Sequence, residues 1–260
     1  MKYSIFTKPW QFLPVDDLCK KVSGWGFDGV EFPLRDGYQA EPQNAERDLP
    51  GLAKKMSEYG LSIMSVASST EENIFAACQA AGVPVIRIMG PGLNNKEYYE
   101  TEKEFKNYLD KLVPLCEKYG VIVGLQNHNS NMVSSTMELK VVLENYDPKY
   151  IGAVWDAAHS GLCKESANKA LDIIWDKLIL VNLKNAFWKQ TNGPEASYAH
   201  FEPYFTPGRF GMASYPDIVQ YLKNKNYTGD ICLPAEYTDG VLVEELAPLE
   251  LEYIKELFAG

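Results

Sequence analysis

Short apolar runs alternate with amphipathic stretches along the whole chain. In KKVSGWGFDGVEF (20–32), KKMSEYGLSIMSV (54–66), CQAAGVPVIRIM (78–89) and CEKYGVIVGLQN (116–127), a helix-like pattern stops at glycine and a strand-like run follows. Glycine there is the expected left-handed helix stop, feeding directly into a strand. The runs are short and rich in Val, Ile and Phe, which selects strand over helix. The pattern predicts eight strands, at 3–7, 28–32, 61–67, 84–89, 121–127, 150–156, 178–184 and 230–236. Helices are expected at 14–24, 45–59, 71–81, 97–119, 134–145, 164–175, 214–225 and 242–258.

Alternating strands and helices imply a parallel sheet with crossover helices. Eight such units in a chain of 260 residues predict an α/β fold, a (β/α)8 TIM barrel, as a single domain over 1–260. A doubly wound sheet is the alternative. The turn after the first strand, TKPWQF, lacks the glycine-rich phosphate loop that such a sheet often carries. Pro234 is the awkward residue, because LPAEY lies inside the last predicted strand and proline cannot donate to a ladder. A bulge or a later strand start is expected there.

Composition narrows the partners. Net charge is −10, from 35 acidic and 25 basic residues, with no Lys/Arg cluster, which argues against a nucleic-acid partner. No apolar run approaches about eighteen residues, so no membrane span is expected. The opening MKYSIFTKPWQFLP lacks the features of a secretory signal. Five scattered cysteines without a CxxC pair fit reduced thiols and a cytoplasmic location.

In a barrel of this kind, side chains at the C-terminal strand ends form the active site. The segment VIVGLQNHNS (121–130) ends an interior-looking strand in amides and an imidazole, Gln126 and His128 among them. The other strand ends add Glu31 and Arg35, Arg87, Asp156 with His159, Asn182 with Lys184, and Glu236. Arg35 reads as a salt-bridge partner for Glu31. Of three histidines in the chain, two fall at this rim, while His200 lies in the long segment 186–213. Burying so many polar groups without partners would cost about 1–3 kcal/mol each, so the joint pattern reads as a functional pocket. The aromatic segment 186–213 reads as a lid or as packing against a second subunit. Its Trp188, Tyr198, Phe201 and Tyr204 are candidates to stack on a sugar ring, and Arg209 is a candidate clamp for an anion or hydroxyl.

These residues resemble the sugar phosphate isomerase/epimerase family, the xylose isomerase-like barrels. The resemblance spans essentially the whole chain and rests on GFDGVEF, LQNH, WDAAHSG, VNLKN, PGRFG and Glu236, in that order. It implies a divalent cation held from the fifth to eighth strands by Glu, Asp, His and Glu, with the glutamates moving a proton between sugar carbons. Carried onto this chain, the ligands are Gln126, Asp156, Asn182 and Glu236, so a glutamate and a histidine are replaced by amides. That oxygen-only set favours magnesium, manganese or calcium over zinc. The alternative is a metal-free site in which the two amides bind sugar hydroxyls.

The strand-end pattern and the resemblance together make Glu236 and His159 the expected catalytic residues, and Gln126, His128, Arg209, Lys184, Glu31, Arg87 and Trp188 the expected substrate contacts. The expected activity is isomerisation or epimerisation of a small sugar or polyol-derived ketone through an enediolate. A dehydratase acting on an inosose-like keto-polyol and a non-catalytic carbohydrate-binding barrel are the alternatives. The expected partner is a small sugar or polyol, and a homo-oligomer is compatible with the sequence.

Overall fold

Two helices end on left-handed glycines, as the sequence pattern requires: Gly82 at φ +69° and Gly120 at φ +65°. A residue with a Cβ would be strained in that conformation, and each helix therefore stops where the next strand begins. The structure is a computed structural model and describes residues 1–93 and 96–260. Its strands are β1 Tyr3–Phe6, β2 Gly29–Pro33, β3 Ser62–Ala67, β4 Val85–Met89, β5 Ile122–Gln126, β6 Ile151–Asp156, β7 Leu178–Asn182, β8 Asn185–Gln190, β9 Phe201–Thr206 and β10 Asp230–Leu233. The helices are α1 Val15–Gly24, α2 Ala45–Ser57, α3 Glu72–Ala81, α4 Tyr98–Tyr119, α5 Thr136–Leu143, α6 Ala157–Leu162, α7 Ala167–Ile174, α8 Tyr215–Asn224 and α9 Val243–Ala259. No helix among the described residues is long and apolar enough to cross a membrane.

Eight strands close a parallel barrel in the ring order β1-β10-β7-β6-β5-β4-β3-β2, with β1 hydrogen-bonded to both β10 and β2. The α/β TIM barrel is therefore the fold. The main apolar core lies between strands and helices, while Phe6, Ala67, Val154, Leu180 and Cys232 fill the barrel interior. Gly124 makes that interior packing possible. A Cβ on it would meet Val154 at 2.6 Å, Val85 at 3.2 Å and Ile179 at 3.3 Å.

Three features differ from the sequence reading. The last barrel strand stops at Leu233, so Pro234 sits just beyond the ladder, with neither a bulge nor a delayed start. The next residue, Ala235, has φ +51° and turns the chain back toward the mouth. A six-residue helix, α6, starts directly after β6, because the Asp156 carboxylate accepts from the N–H groups of Ala158 and His159. The segment 186–213 contains most of an antiparallel hairpin, β8 paired with β9 from Asn185↔Thr206 to Gln190↔Phe201. The Asn185 side chain secures its base by donating to the carbonyls of Gly208 and Ala213 and accepting from the N–H groups of Ala186 and Ala213.

The PGRFG segment is explained by packing. The Gly208 α-carbon lies against the Tyr215 ring, where a Cβ would stand 2.2 Å away, and Gly208 N–H donates to both oxygens of Glu250 at 2.9 Å. Burial pushes the Glu250 carboxyl up to about 7 from 4.5. The folded state thus favours the neutral acid. Stability from this group is complete below pH ~4.5 and is lost as pH rises through about 7.

Two outcomes follow from this packing. Glu250→Gln should melt higher than the parent at pH 8 and lose that advantage at pH 5, with a ceiling of about 3 kcal/mol at roughly 1.4 kcal/mol per pH unit. Thermal unfolding at the two pH values measures it. Gly124→Val should cost about 1–3 kcal/mol by overfilling the barrel, read as a lower midpoint in urea unfolding.

Candidate active site

The interior-facing residues at the C-terminal strand ends are polar and buried, and they bond to one another around the barrel. Glu31 on β2 is fully buried. Its Oε1 accepts from Arg87 Nε on β4 at 2.6 Å and from Ser65 Oγ on β3 at 3.1 Å. Arg87 Nη1 also donates to Gln126 Oε1 at the end of β5. Gln126 Nε2 passes the chain on to Asp156 Oδ2 at 2.7 Å. The Lys184 ammonium, just past β7, lies 3.8 Å from that oxygen, 3.2 Å from Glu236 Oε2 and 3.2 Å from His159 Nε2. Lys8, after β1, closes the sequence on Glu236 Oε1.

This chain of contacts fixes proton positions. A guanidinium only donates, so the Gln126 oxygen must face Arg87 and its NH2 must face Asp156. Arg87 stays protonated although it is almost wholly buried, because Glu31 raises its pKa against the desolvation. An ammonium also only donates, so His159 accepts at Nε2 and carries its proton on Nδ1, which has no hydrogen-bond partner among the described residues. Burial, then the neighbouring Lys184 charge, holds His159 well below its ordinary pKa, and the ring is neutral. The same causes lower His128 to about 4. The two rings pack at 4.1 Å between centroids.

The carboxylates divide by environment. Burial raises Asp156 above its usual range, with Lys184 opposing. Burial is also the largest single influence on Glu236, yet Lys184 and Lys8 together outweigh it and bring that carboxyl down to about 2. Glu236 is therefore ionised across the neutral range.

The group lines a narrow well of about 90 Å³, whose walls include Phe6, Lys8, Glu31, Gln126, Asn182 and Glu236. Two wider clefts, each of about 490 Å³, open from it. One runs past Arg35, Arg87, Ser68 and Tyr108; the other runs past His128, Phe205 and Tyr237. Among the residues that line the well, Glu31 Oε2 and Asn182 Oδ1 are buried acceptors with no hydrogen-bond partner among the described residues.

Glu31, Arg87, Gln126, His128, Asp156, His159, Asn182, Lys184 and Glu236 thus gather at one mouth. Arg209 and Trp188 do not join them. The Arg209 guanidinium stacks on Tyr253 at 3.7 Å and reaches Glu256, outside the well and its clefts. Trp188 donates through Nε1 to the Leu162 carbonyl at 3.0 Å. His200 lies on the exposed hairpin, hydrogen-bonded to Thr191. Of the hairpin's aromatics, Phe205 reaches the mouth, and its ring lies 4.6 Å from Lys184 Nζ. Sequence reasoning passed over it, because its position became special only through the hairpin. The expected partnership of Glu31 with Arg35 is replaced by Arg87, since β4 points its residue into the interior beside β2 and β3. Arg35 rests near the Phe6 ring at 5.7 Å and makes no ion pair among the described residues.

Comparison with known proteins agrees with the barrel. Residues 19–257 match the xylose isomerase-like TIM barrel family, and the chain belongs to it. An inosose dehydratase of Mesomycoplasma hyopneumoniae (strain 7448) is 24% identical over 255 residues, covering 85% of each chain. Among solved structures, 3-keto-D-glucoside 4-epimerase from E. coli superposes with TM-score 0.75 at 14% identity, covering 98% of this chain and 99% of that one. The IOLI protein with a bound zinc atom superposes with TM-score 0.76 at 14% identity, covering 100% and 98%. Enzymes acting on sugars are thus the company this chain keeps, and family membership makes a divalent cation an expectation to test against its own donors.

That test fails on two ligands. Gln126 has its oxygen committed to Arg87 and presents an NH2 group to Asp156. Asn182 offers one carbonyl oxygen where the family pattern calls for an imidazole. Among the described residues, no group of three or more His, Cys, Asp and Glu is arranged to hold a metal ion.

The pairing of Glu31 has a measurable consequence. Arg87→Met should destabilise the protein by about 3–5 kcal/mol, because it leaves a buried carboxylate uncompensated. Adding Glu31→Gln should recover part of the loss. Urea denaturation of the single and double variants checks both, and additive losses would contradict the pairing.

Proposed function

We propose that the protein abstracts a proton next to the ketone of a small keto-polyol and expels the β-hydroxyl as water. The observation that carries the polyol reading is the pair of buried acceptors without partners, Glu31 Oε2 and Asn182 Oδ1. Each costs about 1–3 kcal/mol if left unpaired, and substrate hydroxyls would supply the missing donors. The narrow well admits the reacting end, and the flanking clefts take the rest of the molecule.

Glu236 is the base. It is ionised at neutral pH, and it lies beside the positive charges of Lys184 and Lys8. A carboxylate so tightly paired is a weak base. When a substrate carbonyl oxygen takes over one ammonium, the carboxylate loses a stabilising partner and its basicity rises. The same ammonium then stabilises the negative charge that develops on the enolate oxygen. The electron pair from the broken C–H bond enters the enolate. Its return expels the β-hydroxyl, which leaves as water after taking the proton that Glu236 removed.

Epimerisation needs proton acceptors on both faces of one carbon. The position of the family's second glutamate is Gln126, which cannot accept such a proton. Asp156 is saturated by Gln126, Ala158, His159 and Lys184. An amide in place of the family's second glutamate favours dehydration over epimerisation. The likeness to an inosose dehydratase supports a cyclic keto-polyol as substrate class. The zinc held by one structural relative keeps a divalent cation in view, but no step above is routed through one.

The test is a panel of ketoses and inososes analysed by product mass. Loss of one water supports dehydration, and an isomer of unchanged mass would return the assignment to isomerase. Glu236→Gln should reduce kcat about 100- to 10,000-fold while preserving the circular dichroism spectrum. Retained turnover would remove Glu236 from the base role.

A further inference from the structure

We propose that the Lys184 ammonium is the resident cation of this site and stands in the place of the divalent ion expected of the family. The inference rests on the reading of the mouth as a catalytic centre, but its test does not depend on turnover. Three observations carry it.

The first is position. Lys184 Nζ sits among Glu236 Oε2 at 3.2 Å, His159 Nε2 at 3.2 Å and Asp156 Oδ2 at 3.8 Å. Asp156 and Glu236 are the two carboxylates that the family pattern assigns to the metal. An ion bridging them would need ligand distances of about 2.0–2.6 Å and would have to displace the ammonium that lies between them.

The second is charge. Three carboxylates, Glu31, Asp156 and Glu236, meet four cationic side chains, Lys8, Arg35, Arg87 and Lys184, at the well. The chain itself already supplies more cations than carboxylates there. Adding a dication would leave a large excess of positive charge among groups that are mostly withdrawn from water, where screening is weak.

The third is the chemistry of the substituted ligands. A glutamate at position 126 could not donate to Asp156, whereas Gln126 does so at 2.7 Å. With Lys184 and Gln126 both giving hydrogen bonds or charge to Asp156, that carboxylate needs no metal. Asn182, in place of a histidine, removes the nitrogen ligand and leaves a neutral acceptor for a substrate hydroxyl. Glutamate out and histidine out are two changes with one sense: each lowers divalent-ion affinity and leaves Lys184 as the cation beside the two remaining carboxylates.

The experiment uses the full chain, purified without chelator or metal-affinity tag, and equilibrated with MnCl2 or ZnCl2. Elemental analysis after gel filtration should find well below one metal per chain, and the melting temperature should not move with added ion. Binding to the folded state alone would raise it with concentration. The variant Q126E/N182H/K184M restores the ligand types and removes the ammonium. It should retain close to one metal per chain and melt higher as the ion is added.

Wild-type protein that retains one equivalent of manganese or zinc would overturn the proposal. So would a folded triple variant that stays metal-free, because these three residues would then not be what excludes the ion. If the triple variant does not fold, the wild-type measurements still decide. A protein that dehydrates no ketone, yet binds no metal, would remove the functional reading and leave the resident cation standing.

Discussion

A charge inside a closed barrel has to be neutralised from within, because water does not reach it to do so. That constraint organises the mouth of this protein. Glu31 and Asp156 are fully buried, and Arg87 and Lys184 nearly so. Desolvating any one of them alone would cost several kcal/mol. They coexist because the register of the parallel strands sets a carboxylate, a cation or an amide at successive strand ends. Each then finds its complement on an adjacent strand or, for Glu31 and Arg87, on the strand beyond it. The path of hydrogen bonds and ion pairs from Ser65 through Glu31, Arg87, Gln126 and Asp156 to Lys184, Glu236 and Lys8 is the outcome.

Local structure serves the same end. Asp156 uses one oxygen to start α6 and the other to receive Gln126, so the helix that carries His159 is seated by a member of the path. Pro234 ends β10 and Ala235 turns the chain, which returns Glu236 to the well between two lysines. Phe205 is held over Lys184 because its backbone N–H donates to Thr238 Oγ1 and its carbonyl accepts from Thr238 N–H. The hairpin thereby joins the segment that follows the last barrel strand and walls one side of the mouth.

The barrel was readable in the sequence because its signals are local. Glycine stops and β-branched runs mark each unit, and the eight barrel strands fall within the predicted ranges to about a residue at most ends, β10 stopping short. The parity of strand-end residues was readable as well, and it collected nearly all of the mouth. What escaped depends on contacts between segments far apart. Arg87 rather than Arg35 pairs with Glu31 because of interior geometry across β2, β3 and β4. Arg209 looked like a clamp in PGRFG, yet that segment is shaped by Gly208 against Tyr215 and Glu250. The hairpin was hidden because its strands are short and separated by a polar stretch with no periodicity. Gln126 and Asn182 looked like a metal site with its charge removed. The cation between the carboxylates was already present in the sequence as Lys184, and only its distances revealed the role.

The mutual dependence of charges at the mouth also shapes which variants this protein can reach by single steps. Glutamate introduced alone at position 126 would keep the contact with Arg87 but set a second carboxylate against Asp156, where a donor now stands. Removing Lys184 alone would leave Asp156 and Glu236 facing each other with their shared partner gone. Each change that leads toward a metal-binding mouth is unfavourable until the others accompany it. The site is therefore epistatically locked: it resists gradual conversion, and a library of single substitutions would misjudge what the same residues permit in combination.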